Sequence, residues 1–271
     1  MSRKSALINV MEGAVRKAAR GLLRDFGEVE NLQVSKKGPA DFVSIADHKS
    51  ERTLREELSR ARPKFGFRLE EGGDIEPEGG RSIWVVDPLD GTTNFLHGIP
   101  YFSISVAVEQ DGTLIAGVVY NPVVDELFWA ERGIGTFVNY RRLRVSSRNR
   151  LPDSVIATGI PHLEQSSEQP FMAELDAMMP AVAGIRGCGA ASLDLAYVAA
   201  GRFDGFWDRG LATWDMAAGI VLVREAGGMI ADLDGSSRMM DSGNILASND
   251  PLHLPLQKLL RTAARNAAGS T

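Results

Sequence analysis

Trp84-Val85-Val86-Asp87-Pro88-Leu89-Asp90-Gly91-Thr92-Thr93-Asn94-Phe95 is the stretch that decides the reading of this chain. An apolar strand over 83–86 runs straight into an aspartate. A rigid Pro-Leu step follows, then a second aspartate, a glycine and two threonines. Two hard carboxylates on one sharp turn suit a divalent cation that wants oxygen ligands. Gly91 and Thr92 can open a helix, whose free N–H groups and dipole attract a phosphate. Metal ligands beside a phosphate cradle point to metal-assisted phosphoryl chemistry. A plain structural reading competes: a strand ending in an Asp-rich turn, with Asp90 as a helix cap. Short Asp/Gly turns are common, and two aspartates alone do not displace that reading.

Around this stretch the chain has 271 residues, enough to bury a substantial core as one large domain or two fused halves. A hydrophobic content of 44% and a charged content of 24% are ordinary for a soluble globular protein. The net charge of −5 argues against a dedicated nucleic-acid binder and suits a protein that gathers cations in carboxylate clusters. Cys188 is the single cysteine, which excludes an intrachain disulfide and suggests a reducing cytoplasm. Within Gly187-Cys188-Gly189 it reads as a small buried thiol rather than a nucleophile. The basic start, Met1 to Ser5, is followed by apolar residues interrupted by Asn9, Glu12, Arg16 and Lys17, a poor signal peptide. No run approaches the ~20 apolar residues of a membrane span.

Helical spacing of Ala6, Val10, Ala14 and Ala18 predicts a first helix over 5–26, and a second is expected over 47–62, stopped by Pro63. From 83 to 138 the pattern turns to strands: 103–109 alternates, Asp111-Gly112 signals a hairpin, and strands follow over 113–120, 126–130 and 135–138. After Arg150, strands over 154–158, 183–186, 203–207, 229–232 and 245–248 interleave with helices over 168–179, 190–200, 214–226 and 251–268. The fold class expected is α/β: an α+β half over 1–150 with a largely antiparallel sheet, then an α/β half over 151–271 with more parallel character.

The acidic motifs fall in four places: Asp41 to Asp47, Leu69-Glu70-Glu71-Gly72, Asp87 with Asp90, and Trp214-Asp215-Met216-Ala217-Ala218-Gly219. Singly, each has an ordinary meaning. Glu70 and Glu71 read as loop charges, Asp215 as a residue favouring a helix dipole, and Asp47 as an N-cap. Together, in this order and spacing, they resemble the inositol monophosphatase family within the lithium-sensitive sugar-phosphatase superfamily. The resemblance runs from Lys36-Lys37-Gly38-Pro39-Ala40-Asp41 to Gly227-Gly228, and the 193–201 helix is similar to bacterial members.

The resemblance implies a layered α-β-α-β-α fold with two sheets. It implies a Mg²⁺-dependent phosphate monoester hydrolase acting on inositol 1-phosphate, with two or three ions per site. Glu70, Asp87 and the carbonyl of Leu89 would bind one ion. Asp87, Asp90 and Asp215 would bind a second, weaker one, and Glu70 and water would hold a third where three ions bind. Asp47 and Thr92 match the pair that orients and deprotonates the attacking water, and Glu70 belongs to the catalytic group. The N–H groups of Gly91 and Thr92 would hold the phosphate. Asp90, Asp215, Asp208 and Ala191, the last in a small-residue run with Gly189 and Ala190, would line the substrate. Lys36 matches a lysine near the active-site loop. The implied chemistry is in-line attack by metal-activated water, with no covalent enzyme intermediate.

Two positions depart from the family pattern. Asp208 stands where a glutamate usually touches a ring hydroxyl, and Leu69 stands where Gly or Ser often precedes the two glutamates. These departures bear on substrate choice more than on catalysis. Relatives hydrolyse fructose 1,6-bisphosphate, histidinol phosphate, NADP or phosphoadenosine phosphate, and these stand as alternative substrates. Some bacterial relatives also act in transcription antitermination with RNA polymerase and RNA. Arg141, Arg142, Arg144, Arg148 and Arg150 are the basic cluster that would serve such a role, although a solvated connecting segment is the preferred reading of it. The resemblance further suggests a homodimer.

Overall fold

The computed structural model describes residues 4–28, 34–36, 42–161 and 168–268. Ser5 caps the first helix, its Oγ accepting the N–H of Ile8 at 3.1 Å, and α1 (Ala6–Phe26) follows. Its buried stripe includes Ile8, Met11, Val15 and Leu22, the spacing of an amphipathic helix. A short antiparallel pair, β1 (Val34–Lys36) and β2 (Phe42–Ser44), leads into α2 (Ile45–Ala61). This helix begins two residues ahead of the expected start, so Asp47 lies inside its first turn and is not its cap. Asp41 and the side chain of Lys36 lie outside what is described.

Next come β3 (Gly66–Leu69), β4 (Gly73–Ile75), β5 (Ser82–Asp90) and the five-residue α3 (Thr92–Leu96). Strands β6 (Ser103–Gln110), β7 (Thr113–Asn121), β8 (Glu126–Glu131), β9 (Gly135–Val138) and β10 (Arg141–Arg142) complete an eight-stranded sheet. Its order is β10-β9-β8-β7-β6-β5-β3-β4. Every pair in it is antiparallel except β3 with β5. The sequence reading missed β3, β4 and β10, which are too short to show a period.

The second sheet interleaves strand and helix. Its elements are β11 (Val155–Thr158), α4 (Glu168–Met178), β12 (Gly184–Arg186), α5 (Ala191–Ala199), β13 (Gly205–Asp208), α6 (Thr213–Glu225) and β14 (Met229–Ala231). Then come α7 (Met239–Ser242), β15 (Ile245–Ser248) and α8 (Asp250–Ala268). The order is β12-β11-β13-β15-β14, parallel among the first three strands and antiparallel around β15. The parallel character expected of this region therefore covers half of the sheet.

Strand alternation sorts the side chains into three cores. Trp84, Val86, Ile104, Val106, Val118 and Trp129 point toward α1 and α2. Val85, Ala107, Val119 and Phe128 point the other way, onto α5 and α6, which also receive Phe206, Ile245 and Ala247 from the second sheet. Ile156, Trp207 and Leu246 leave that sheet's far face to meet α4 and α8. The result is the expected five layers, α-β-α-β-α. Helix α6 is buried from Met216 to Val223, as a helix between two sheets must be. It lies close on β7 because Gly117 has no side chain there: a Cβ would stand 2.7 Å from the Ala218 carbonyl oxygen. Among the described residues no helix is long and apolar enough to cross a membrane.

Candidate metal and phosphate site

The deciding stretch forms the end of β5 and the start of α3. Strand pairing with β6 runs in register to Asp87↔Ser105, breaks at a bulge, and resumes at Asp90↔Ser103. Pro88 cannot donate to the ladder, so the strand must distort where it stands. The Asp87 carboxylate accepts the N–H of Leu89 at 2.9 Å across the distortion. Ser50 of α2 donates to the Pro88 carbonyl at 2.8 Å, binding the helix that carries Asp47 to this turn. Gly91 has φ 90°, a conformation open to glycine at little cost, and its missing Cβ would lie 3.1 Å from the Tyr101 carbonyl oxygen. Helix α3 then starts with no side-chain cap.

Four more carboxylates reach this region from elsewhere. Glu70 leaves the end of β3, the parallel neighbour of β5, and lies within hydrogen-bonding reach of Asp87. The Glu71 N–H beside it is held by the buried Glu51 at 2.8 Å. Asp215 sits in the first turn of α6 and accepts the Ala212 N–H at 2.8 Å. Asp208 ends β13, its carboxylate accepting the N–H groups of Arg209, at 2.7 Å, and of Gly159. Asp47 is buried at 2% exposure and repels the charge on Glu70.

Burial and like charge act together on this cluster. Burial, then Asp215 and Asp47, raise Glu70. Burial, then Glu70, Asp90 and Asp215, push Asp87 well above the usual carboxylate range. Burial and Asp90 raise Asp215, and burial lifts Asp208 to about 7. Burial also raises Asp90, but four hydrogen bonds from the start of α5 restrain the rise. Buried carboxylates that raise one another either hold protons or ionise against a counter-charge.

The donor set fits a hard divalent cation. Oε2 of Glu70 and Oγ1 of Thr213 are buried without a hydrogen-bond partner. An orphaned buried oxygen among like charges is relieved by a metal ion. Among the described residues, no group of three or more His, Cys, Asp and Glu is set to hold an ion unaided. Mg²⁺ keeps waters and substrate oxygens in its octahedron, so side chains need supply only part of its ligands.

The sequence-derived residues Glu70, Asp87, Asp90, Asp215 and Asp208 thus form one electrostatic cluster drawn from the end of β3, β5, β13 and α6. Thr92 Oγ1 donates to the Leu89 carbonyl at 3.0 Å. Ala191 comes in through its N–H, which is given to Asp90. Cys188 is half-buried and not the buried thiol expected; burial and Asp194 push it up to about 11, so it stays protonated.

Sequence reasoning missed the residues that join the two sheets here. Asn94 Nδ2 donates to the carbonyls of Tyr101 and Cys188, both at 2.8 Å. The Tyr101 hydroxyl donates to the buried Asp194 at 2.6 Å. Ser192 donates to Asp90 through both its N–H and its hydroxyl. One signal was available: α5 starts after Ala190, which cannot cap it.

Comparison with known proteins identifies the family. The model of the inositol monophosphatase family matches residues 3–267. An inositol-1-monophosphatase of Rhizobium meliloti is 57% identical over 95% of this chain and 97% of its own length. The Nus factor SuhB of Pseudomonas aeruginosa is 43% identical over 90% of this chain and 91% of its own. The crystal structure of extragenic suppressor protein suhB from Bartonella henselae superposes with a TM-score of 0.93 at 56% identity, covering 95% of this chain and 99% of that one. With the whole chain matched and the carboxylates gathered as described, this protein belongs to the inositol monophosphatase family.

Proposed function

We propose that this chain hydrolyses inositol 1-phosphate to inositol and phosphate with Mg²⁺ as cofactor. The observation that carries the reading is the cluster of Glu70, Asp87, Asp90 and Asp215, each raised by burial, with an orphaned Glu70 oxygen. Glu70, Asp87 and the Leu89 carbonyl would hold one ion, and Asp87, Asp90 and Asp215 another. Bound Mg²⁺ would supply Lewis-acid chemistry, making water a better nucleophile and offsetting charge on the phosphate and the leaving alkoxide.

The chain's own groups divide the remaining work. The Thr92 hydroxyl proton is committed to the Leu89 carbonyl, so toward a water its oxygen acts as an acceptor and orients it. Asp47, buried in α2 and close enough to act on Glu70, is the proton acceptor in this reading. The uncapped start of α3, at Gly91 and Thr92, offers N–H groups to the phosphate. Asp208 and the turn at Ala191 face the alcohol. The halves 1–150 and 151–271 then divide the work: the first supplies most of the metal ligands, and the second supplies Asp215 and the substrate-side residues. We take the active form to be a cytoplasmic homodimer, in keeping with the single cysteine.

The test is turnover of EDTA-stripped protein on inositol 1-phosphate, fructose 1,6-bisphosphate, histidinol phosphate, NADP and phosphoadenosine phosphate, with Mg²⁺ restored. Highest kcat/KM on inositol 1-phosphate is expected. A higher value on another substrate reassigns the substrate, and no Mg²⁺-dependent turnover on any sinks the reading. Relatives named Nus factor raise the antitermination role, but the basic cluster lends it little. Arg148 pairs with buried Asp204 at 3.1 Å, Arg150 lies 3.7 Å from Asp153, and Arg142 lies over the Phe137 ring.

A further inference from the structure

Helix α5 begins without a capping side chain, because Ala190 stands at the cap position. The first N–H groups of a helix need partners, and here they find one in the other sheet. Oδ2 of Asp90 accepts the Ser192 N–H at 2.8 Å, and the N–H groups of Ala191 and Leu193 also bond to Asp90. Asp90 therefore caps α5 from 102 positions away in sequence.

A further bond to Asp90 comes from a side chain. Ser192 Oγ donates to the same Oδ2 at 2.6 Å. Ser192 is fully buried, as is Ser103, whose hydroxyl lies 2.9 Å from that of Ser192. A serine has one hydroxyl proton, and that of Ser192 goes to Asp90. Ser103 must then donate to Ser192, giving an ordered chain from Ser103 to Ser192 to Asp90. Ser103 is also the cross-strand partner of Asp90 where pairing resumes after the bulge. The chain is thus anchored on both sides of the carboxylate.

We infer that Ser192, backed by Ser103, is a positioning residue that fixes Asp90 and thereby sets the affinity of the cation shared by Asp87, Asp90 and Asp215. The inference rests on the metal-dependent reading above. Ser192 holds Oδ2 through both its N–H and its hydroxyl, so the carboxylate is fixed in one orientation. Losing the hydroxyl removes the charge-assisted bond that holds this orientation and leaves Asp90 freer to turn. Loss of such an outer partner typically weakens a metal site 10–100-fold.

The test is a Mn²⁺ titration of metal-stripped protein, with free ion read by electron paramagnetic resonance. It compares the wild type with Ser192→Ala, Ser192→Thr, Ser103→Ala and the double alanine variant, each checked for a native near-UV circular dichroism spectrum. Ser192→Ala should weaken the weaker class of bound Mn²⁺ about tenfold and leave the tighter class unchanged. Ser103→Ala should shift the same class by less. The double variant should match Ser192→Ala alone, because Ser103 acts through Ser192. Ser192→Thr, which keeps the hydroxyl, should restore the wild-type isotherm. In turnover, the Mg²⁺ concentration for half-maximal rate should rise about tenfold in Ser192→Ala, while kcat at saturating Mg²⁺ is spared.

An isotherm for Ser192→Ala that overlays the wild type overturns the inference, as do additive effects of the two serines. If Ser192→Ala does not fold, the Ser103→Ala isotherm decides: a shift of the weaker class upholds the chain, and no shift overturns it. A wild type that hydrolyses no phosphate monoester but shows the Ser192-dependent Mn²⁺ shift removes the phosphatase reading and leaves this one standing. A wild type that takes up no Mn²⁺ overturns both.

Discussion

Replacing Asp87 with asparagine should stabilise the protein without metal and destroy its response to Mg²⁺. Asp87 is 2% exposed and surrounded by Glu70, Asp90 and Asp215, which with burial hold its pKa well above normal. The amide oxygen can still accept the Leu89 N–H that Asp87 accepts at 2.9 Å, so the turn keeps its local bond. What disappears is a buried charge with like-charged neighbours. An uncompensated buried charge costs about 3–5 kcal/mol, and protonation at neutral pH recovers part of that, which makes about 3 kcal/mol a fair expectation in EDTA at pH 8. At roughly 2–4 °C per kcal/mol for a large domain, the melting temperature should rise on the order of 6–12 °C. Saturating Mg²⁺ should raise the wild-type melting temperature and leave the variant unmoved, because an amide has no charge to bridge two ions. Hydrolysis should fall by several kcal/mol of transition-state stabilisation, roughly a thousandfold or more. Differential scanning calorimetry in EDTA and in Mg²⁺, with phosphate release measured in parallel, checks all three. A variant that is no more stable than the wild type in EDTA refutes the charge argument. Near-normal turnover in Mg²⁺ refutes the role of Asp87 as a bridge.

Metal-free stability should fall as pH rises between about 4 and 8. Glu70 and Asp208 titrate in the folded protein near 8 and 7, above their ordinary 4.5 and 3.8, so the unfolded chain loses its protons first and is favoured as pH climbs. Denaturant melts in EDTA should show this slope, and a flat or rising profile contradicts it; Mg²⁺ should add more stability at pH 8 than at pH 5.5. Asp208→Ala should raise KM for inositol 1-phosphate and spare kcat, with little change on a simple aryl phosphate. Gly159→Ala should have the same effect, since its Cβ would lie 2.1 Å from Asp208 Oδ2; equal loss of kcat on all substrates would instead make Asp208 catalytic. Ca²⁺ should bind without supporting turnover, because it tolerates a looser geometry than in-line attack requires, and Li⁺ should inhibit at the Asp90 and Asp215 side. Full activity of EDTA-stripped protein in Ca²⁺ would exclude this account.

Local sequence determined the elements with strong periods and the residues with strong chemistry. The α1 stripe, the hairpin at Asp111-Gly112 and the strands from Ser103 to Val138 were legible because alternation and helical spacing are properties of neighbouring residues. Glu70, Asp87, Asp90 and Asp215 were singled out as a set through the family resemblance, since each alone reads as a turn, a loop charge or a cap. The short strands β3, β4 and β10 left no periodic signal, although β3 is what carries Glu70 to Asp87. Tertiary structure alone decided how the two sheets meet at the site. Asn94 reaches Cys188, Tyr101 reaches Asp194, and Ser192 reaches Asp90, each across more than ninety positions. A serine or asparagine has small polar groups that suit a cap, a turn or solvent equally well. Which of these it becomes depends on the partner that folding brings within about 3 Å, and no pattern in its neighbours encodes that distance.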